Sequence, residues 1–320
     1  MNKVLKALII SAFGVFSLNA QAAETVNLSI ATGGTGGVYY PLGGGMANVF
    51  SKNIPGMTAT AEVTGGSVDN MRLIGTGKSY IALTQADAAK DAYSGEDKFK
   101  GNKIPVRTMM MLYTNLMQVV TVEGTGINTI QDMKGKRVST GSPGSATEVF
   151  AFRVLEAAGL DPKKDIRSER LGAAESVNAM KDKKIDAFFF VAGLPTAAIT
   201  DLASTPGTKI KFVDTAQLLP AMVKAHGNIY IADVIPRTTY SGMTVDNKAT
   251  AVANLLVANA NMSEQTVYNI VKTVFDKRPD LIIVHKAATD ITLERQKPDA
   301  SPVPWHPGAV KYFKEKGLKF

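Results

Sequence analysis

The side chains that most often do chemistry are scarce in this chain. It contains no Cys, so no thiolate metal site, Cys nucleophile or disulfide framework can form. Its three His, at 226, 285 and 306, stand far apart and none falls in a glycine-rich turn. No G-x-S-x-G elbow occurs, which leaves a Ser-His-acid triad without support. Residues 72–79, R-L-I-G-T-G-K-S, end like a phosphate loop, but Arg72 stands where the first Gly belongs and a helix precedes them. Gly75 and Gly77 read instead as a helix stop. Residues 33–37 lack the spacing and the later acidic partner of a dinucleotide fingerprint. No enzymatic activity, cofactor or metal is therefore expected. Asp69 and Asp87 could pair as carboxylates, though nothing in the sequence brings them together.

What does recur is a strand, a turn of Gly and small polar residues, and a helix start. In open α/β sheets such turns gather at the carboxyl ends of the strands, where ligands bind. A helix start offers unpaired backbone N–H groups and partial positive charge, so it can hold a carboxylate without Lys or Arg. Glycines let the backbone approach a ligand, and Ser, Thr, Asn and Gln add directed hydrogen bonds. The candidates are Gly36, Val38, Tyr39 and Tyr40 in the first turn, and Ser67 and Asn70 in the second. Gln85 and Asp87 follow in the third, then Ser142, Gly144, Ser145, Ala146 and Thr147, and finally Gly193, Pro195 and Thr196. Any one Ser or Thr here can equally be a plain helix cap. Trp305, His306 and Pro307 read as packing and as the entry to the last helix.

The elements behind these turns alternate. Val26, Leu28 and Ile30 mark a strand, Gly33 to Gly37 break it, and a helix can start at Pro41. Residues 58–63 read as a strand, and Ser67 can cap a helix carrying Val68, Met71 and Ile74. Residues 80–83 form a short strand before a helix running towards Tyr93. Residues 136–140 form a strand, and 145–158 a helix with capping-box spacing at Ser145 and Glu148 and a left-handed stop at Gly159. Residues 166–171, 185–191 and 209–213 are further strands, with helices at 173–181 and after Pro195. Apolar segments at 229–234 and 250–258 lead to helices at 264–277 and 308–316. This is an α/β pattern of parallel sheets covered on both faces, in two lobes. Residues 24–121 and 233–320 would form lobe 1 and residues 122–232 lobe 2, with crossings near 119–123 and 229–233.

Hydrophobic residues make up 45% and charged residues 20% of the 320, an ordinary globular balance that excludes disorder and a polytopic membrane protein. The formal charge of +8 is spread out, with no Lys/Arg-rich run to suggest nucleic acid, and the chain is expected to be a monomer. Lys3 and Lys6, the apolar stretch 7–18 and Ala20-Gln21-Ala22 have the build of a cleaved secretory signal peptide over residues 1–22. The expected location is the periplasm.

These motifs, in this order, resemble the TAXI-type solute receptors of tripartite ATP-independent periplasmic (TRAP) transporters. The resemblance runs from about Val26 to the C-terminus. It is carried by A-T-G-G-T-G-G-V-Y-Y-P-L-G-G (31–44), V-T-G-G-S-V-D-N (63–70), I-A-L-T-Q-A-D (81–87), M-K-G-K-R-V-S-T-G-S-P-G-S-A-T-E (133–148) and P-W-H-P-G-A-V-K-Y-F-K-E (304–315). It implies a two-lobed periplasmic binding protein that captures a small carboxylate between its lobes. Glutamate, glutamine or 2-oxoglutarate would be the ligand, delivered to TRAP permease subunits driven by an ion gradient. A binding protein of an ATP-driven importer is the alternative. In the resulting scheme one carboxylate sits on the start of the 145–158 helix with Thr147 and Ser142 donating. Ser67, Asn70 and Gln85 hold the other end, Tyr39 packs on the stem, and Asp87 orients its neighbours or takes an α-ammonium.

Overall fold

In the computed structural model, which describes residues 25–320, the first half is built from three strand–turn–helix units. Strand β1 (Val26–Ala31) leads to α1 (Tyr39–Asn53), β2 (Met57–Glu62) to α2 (Ser67–Gly75), and β3 (Tyr80–Gln85) to α3 (Ala86–Ser94). β1 pairs in parallel with both β2 and β3. Each helix returns the chain along the sheet and buries one stripe against it, Leu42, Met46 and Phe50 from α1 and Val68, Met71 and Ile74 from α2. The expected signal peptide lies outside the described residues.

The 17-residue strand β4 (Val106–Val122) carries the chain into the second half. There β5 (Arg137–Ser139), α4 (Ala146–Ala157), β6 (Arg167–Glu169), α5 (Ala173–Lys181), β7 (Ala187–Ala192) and α6 (Ala197–Ala203) repeat the unit. β8 (Ile210–Phe212), α7 (Leu219–His226) and β9 (Tyr230–Ile235) follow. The 13-residue β10 (Asn247–Asn259) then leads back to α8 (Glu264–Asp276), α9 (Arg278–Val284) and α10 (Pro307–Glu315).

The strands run in the order β2-β1-β3-β10-β4-β7-β5-β6, with β8 on β4 and β9 on β10. The fold is the two-lobed α/β periplasmic binding protein fold, but its lobes are not purely parallel as expected. β10 is antiparallel to β3, β4 and β9, and β4 is antiparallel to β7 and β8. The reason is legible afterwards. β4 and β10 are buried on both faces, and a doubly buried apolar run reads alike in either direction.

β4 pairs with β10 up to Leu116 and with β7 from Leu116 onward. β10 pairs with β9 over Asn247–Val252 and with β3 from Asn254, and its pairing with β4 shifts register between Ala253 and Leu255. We therefore propose that the lobes divide at Leu116 in β4 and at Ala253–Leu255 in β10. The segment expected to make the second crossing, 229–233, is instead taken up mainly by β9, an antiparallel partner of the first half of β10.

Helix α4 starts where its sequence says. Ser145 is the N-cap and its Oγ accepts from the Glu148 N–H at 3.2 Å. The capping box is only half made, because the Glu148 carboxylate turns to Arg170. One apolar core is continuous across the two lobes, joining Val68 and Met71 to Phe150, Val154 and Tyr230. Among the described residues, no helix is long and apolar enough to cross a membrane.

Candidate functional site

A cavity of about 270 Å³ lies between the lobes at the carboxyl ends of the parallel strands. Lobe 1 supplies Gly33–Tyr39, Val63–Ser67 and Gln85, the residues after β1 and β2 and at the end of β3. Lobe 2 supplies Ser142, Ser145, Ala146 and Thr147 after β5, Gly172–Glu175 after β6, and Phe190–Ala192 at the end of β7. The glycines are what let the halves meet. A Cβ on Gly37 would stand 3.1 Å from the Phe190 ring, and one on Gly36 would stand 3.1 Å from the Ala174 nitrogen.

Backbone bonds already tie the two rims. The Asp69 N–H donates to Gly144 O at 3.0 Å and the Ala198 N–H to Gly36 O at 3.1 Å. The Ser142 hydroxyl donates to Gly65 O at 3.0 Å, and His285 Nε2 lies 3.2 Å from Pro195 O. The arrangement is a closed one. In two of these contacts the carbonyl of one lobe caps the first turn of a helix in the other.

Four helices begin at the cavity wall, α1 and α2 from lobe 1 and α4 and α5 from lobe 2. The N–H groups of Ser67, Ala146, Thr147, Ala173 and Ala174 line this region and have no acceptor among the described residues. Among the described residues no Lys or Arg lines the cavity, and the one charged side chain there is Glu175. Glu175 is solvent-exposed and folds back over Gly172, at the start of its own helix. An anion here would therefore be held by peptide groups and helix dipoles.

The side chains divide by how free they are. Thr147 Oγ1 accepts weakly from the Val191 N–H at 3.4 Å, so its own proton stays available. Ser67 Oγ accepts from the Gln85 N–H at 3.1 Å, and its hydroxyl is turned to Tyr39. By contrast, the Ser142 hydroxyl is engaged by Gly65 O, and the Ser145 hydroxyl donates to Ser142 O at 2.7 Å. Those two act as rim latch and helix cap. The Tyr39 hydroxyl donates to Asn254 Oδ1 at 2.9 Å and accepts from Asn115 Nδ2 at 3.3 Å. Burial pushes it well above the ordinary phenol range, with bonds from Ser67 and Asn115 opposing.

Nine of the expected residues line the cavity, namely Gly36, Val38, Tyr39, Ser67, Gln85, Ser142, Ser145, Ala146 and Thr147. The others are placed elsewhere. Asn70 is fully buried and ties the Ala31, Thr32 and Leu83 carbonyls together with its amide nitrogen. Tyr40 points outward from α1, a third exposed. Gly144 gives its carbonyl to Asp69. Gly193 packs under the Tyr113 ring, and Thr196 is buried against Gln118 and Tyr240, just past the cis Leu194–Pro195 bond.

Asp87 is the largest departure. Its carboxylate, 1% exposed, accepts from the Tyr230 hydroxyl at 2.8 Å and lies 3.7 Å from Arg153 of α4. Arg153 also donates to Asp91 at 2.6 Å, to Asp97 at 3.0 Å and to Tyr230 at 2.7 Å. Asp87 thus belongs to an ion cluster joining α3 to α4, beside a separate charged cleft and away from the interlobe cavity. Burial pushes the Asp87 and Asp91 carboxyls upward, and Arg153 pulls them back. Sequence spacing placed the start of α5 but did not mark it as cavity lining, since Gly172-Ala173-Ala174 carries no hydroxyl to flag it, and it missed Phe190, which sits inside an apolar strand. Among the described residues no acidic or His cluster is placed to hold a metal ion.

The model of the NMT1-like family matches residues 30–317. The chain belongs to the NMT1-like family. Solved structures similar to this NMT1-like chain include the periplasmic binding protein BugD, with 14% identity over 90% of this chain and 94% of that one and a TM-score of 0.56. A structure described as a periplasmic transporter is 12% identical over 91% and 93%, with a TM-score of 0.53. A protein described as an L-cystine ABC transporter from Listeria monocytogenes is 16% identical over 83% and 95%, with a TM-score of 0.50. At such identities the likeness is one of fold.

Proposed function

We propose that this NMT1-like protein is a periplasmic solute-binding receptor that seats a small carboxylate in the interlobe cavity and hands it to a membrane transporter. The observation that carries the reading is the set of unpaired peptide N–H groups at α2, α4 and α5, drawn from both lobes, facing a cavity without Lys or Arg. Ala146 N–H, Thr147 N–H and the Thr147 hydroxyl form the proposed seat. Because the seat and the α2 start come from different lobes, a ligand touching both favours the closed form by its extra contacts there.

The ordered motifs support glutamate, glutamine or 2-oxoglutarate as ligand and a TRAP permease as partner. The structural neighbour described as an ABC transporter supports the alternative, an ATP-driven importer. Uptake into membrane vesicles separates the two, since an ionophore abolishes the first and vanadate the second. The binding test is calorimetric titration with glutamate, glutamine, 2-oxoglutarate and succinate on the wild type and Thr147→Ala. Loss of one charge-assisted hydrogen bond, about 1.5–3 kcal/mol, weakens the best ligand roughly ten- to hundred-fold. Unchanged affinity in Thr147→Ala refutes the seat.

A further inference from the structure

Helices α4 and α5 both start at the cavity wall, and both carry Glu as their third residue, Glu148 and Glu175. At that position a carboxylate can fold back over the free N–H groups of its own first turn. The two side chains do opposite things. Glu148 turns away to Arg170, whose guanidinium donates to both carboxylate oxygens, and this leaves the Ala146 and Thr147 N–H groups to whatever enters the cavity. Glu175 stays over the start of α5, so close that a Cβ on Gly172 would run into its Oε2. The α4 start is thus bare and positive, while the α5 start brings a carboxylate of its own.

That carboxylate is unmatched. Asp69, at the rim, has Arg72 at 3.0 Å, and Asp87 and Asp91 share Arg153. Glu175 has no cation and no hydrogen-bond donor among the described residues, and no other charged side chain lines the cavity. A ligand filling the closed cavity takes water from the inner side of this group. A carboxylate only accepts, so it needs a donor there, and a cation serves best. The lobe 1 wall does not decide the ligand's charge. Its lining residues are uncharged, and the buried Gln85, whose Oε1 has no partner, can turn its amide to donate to a carboxylate or to accept from a carboxamide.

Resting on the carboxylate seat proposed above, we infer that Glu175 is the ammonium-recognising residue of the cavity. The ligand is then an amino acid, with a carboxylate on the bare α4 start and its ammonium against the carboxylate at α5. An acid of the same skeleton without the ammonium binds less well. The assignment separates glutamate and glutamine from 2-oxoglutarate.

The test is titration of the wild type and Glu175→Gln with two matched pairs, glutamate with glutarate and glutamine with glutaramate. Each pair differs only in the α-ammonium. In the wild type the amino acid of the tighter-binding pair is expected to bind roughly ten-fold tighter than its counterpart, or more. Glu175→Gln keeps the side-chain length and suits the same helix position. There the ratio falls below roughly three-fold, because the amino acid weakens while the ammonium-free acid, relieved of a like charge, binds as well as before or better. An ammonium-free acid that matches its amino acid in the wild type overturns the assignment. So does a loss of affinity in the variant that is equal for both members of the pair, which makes Glu175 a prop for α5. Either result leaves the seat intact. Failure of all four to bind the wild type overturns the seat, and the assignment with it.

Discussion

Replacing Arg153 with Met keeps most of the side-chain volume and removes the one positive charge at the centre of the α3–α4 ion cluster. Asp97 is 38% exposed and can turn to water, so its loss matters little. Asp87 and Asp91 cannot, being 1% and 9% exposed, although Asp87 keeps the Tyr230 hydroxyl and the Ala88 N–H. Breaking a buried ion pair from one side costs about 3–5 kcal/mol, and the bonds Asp87 retains favour the lower end. At roughly 2–4 °C per kcal/mol for a chain of this class, the melting temperature falls by about 6–12 °C at pH 8.

The deficit must also depend on pH. Burial already raises both carboxyls, and without Arg153 nothing of like strength pulls them back. A group whose folded pKa lies above its unfolded value of about 3.9 destabilises the fold as pH rises through the folded value. The deficit is therefore greatest at pH 8 and shrinks towards pH 4, and adding Asp91→Asn to Arg153→Met recovers part of it. Thermal melts of the three proteins across that range are the assay. A fall under 2 °C at pH 8, or a deficit independent of pH, refutes the reasoning.

Other consequences follow from single contacts. In Gly144→Ala the new Cβ runs into the Asp69 carboxylate across the rim and sits at φ +78°, so closure is opposed. Scattering of the liganded variant should show it as extended as the empty protein, and a wild-type degree of compaction would count against the rim contact. Asp186 is held below the ordinary carboxylate range by hydrogen bonds from Arg137, so Asp186→Asn loses stability above pH 4. The gap between its melting curve and the wild type's should close as the pH falls to 2, and a gap that persists there contradicts the assignment.

Local chemistry was readable in the sequence and long-range pairing was not. The strand–turn–helix rhythm, the Ser145 cap and most of the Gly-rich turns at the cavity follow from patterns within a few residues, and the structure places them accordingly. Asp87 read as a ligand group because a carboxylate at a helix start is a reasonable one. Its actual partner, Arg153, lies 66 positions later on another helix, and no local spacing signals that. Asn70 shows the same limit, since an amide beside a glycine turn looks like a ligand donor until its three carbonyl partners are in view. The orientation of β4 and β10 was hidden by burial on both faces. The place of the α5 start in the cavity wall was hidden by alanines, whose contribution is made by the backbone alone.

β10 is an interior strand of the first lobe's sheet, lying between β3 and β4, yet it is made of Asn247–Asn259. Until a ribosome has passed Asn259, β3 and β4 therefore present bare edges to each other with nothing to bridge them. The amino-terminal three-quarters of this polypeptide has no finished sheet to fall into, and assembly of both lobes waits on one late segment.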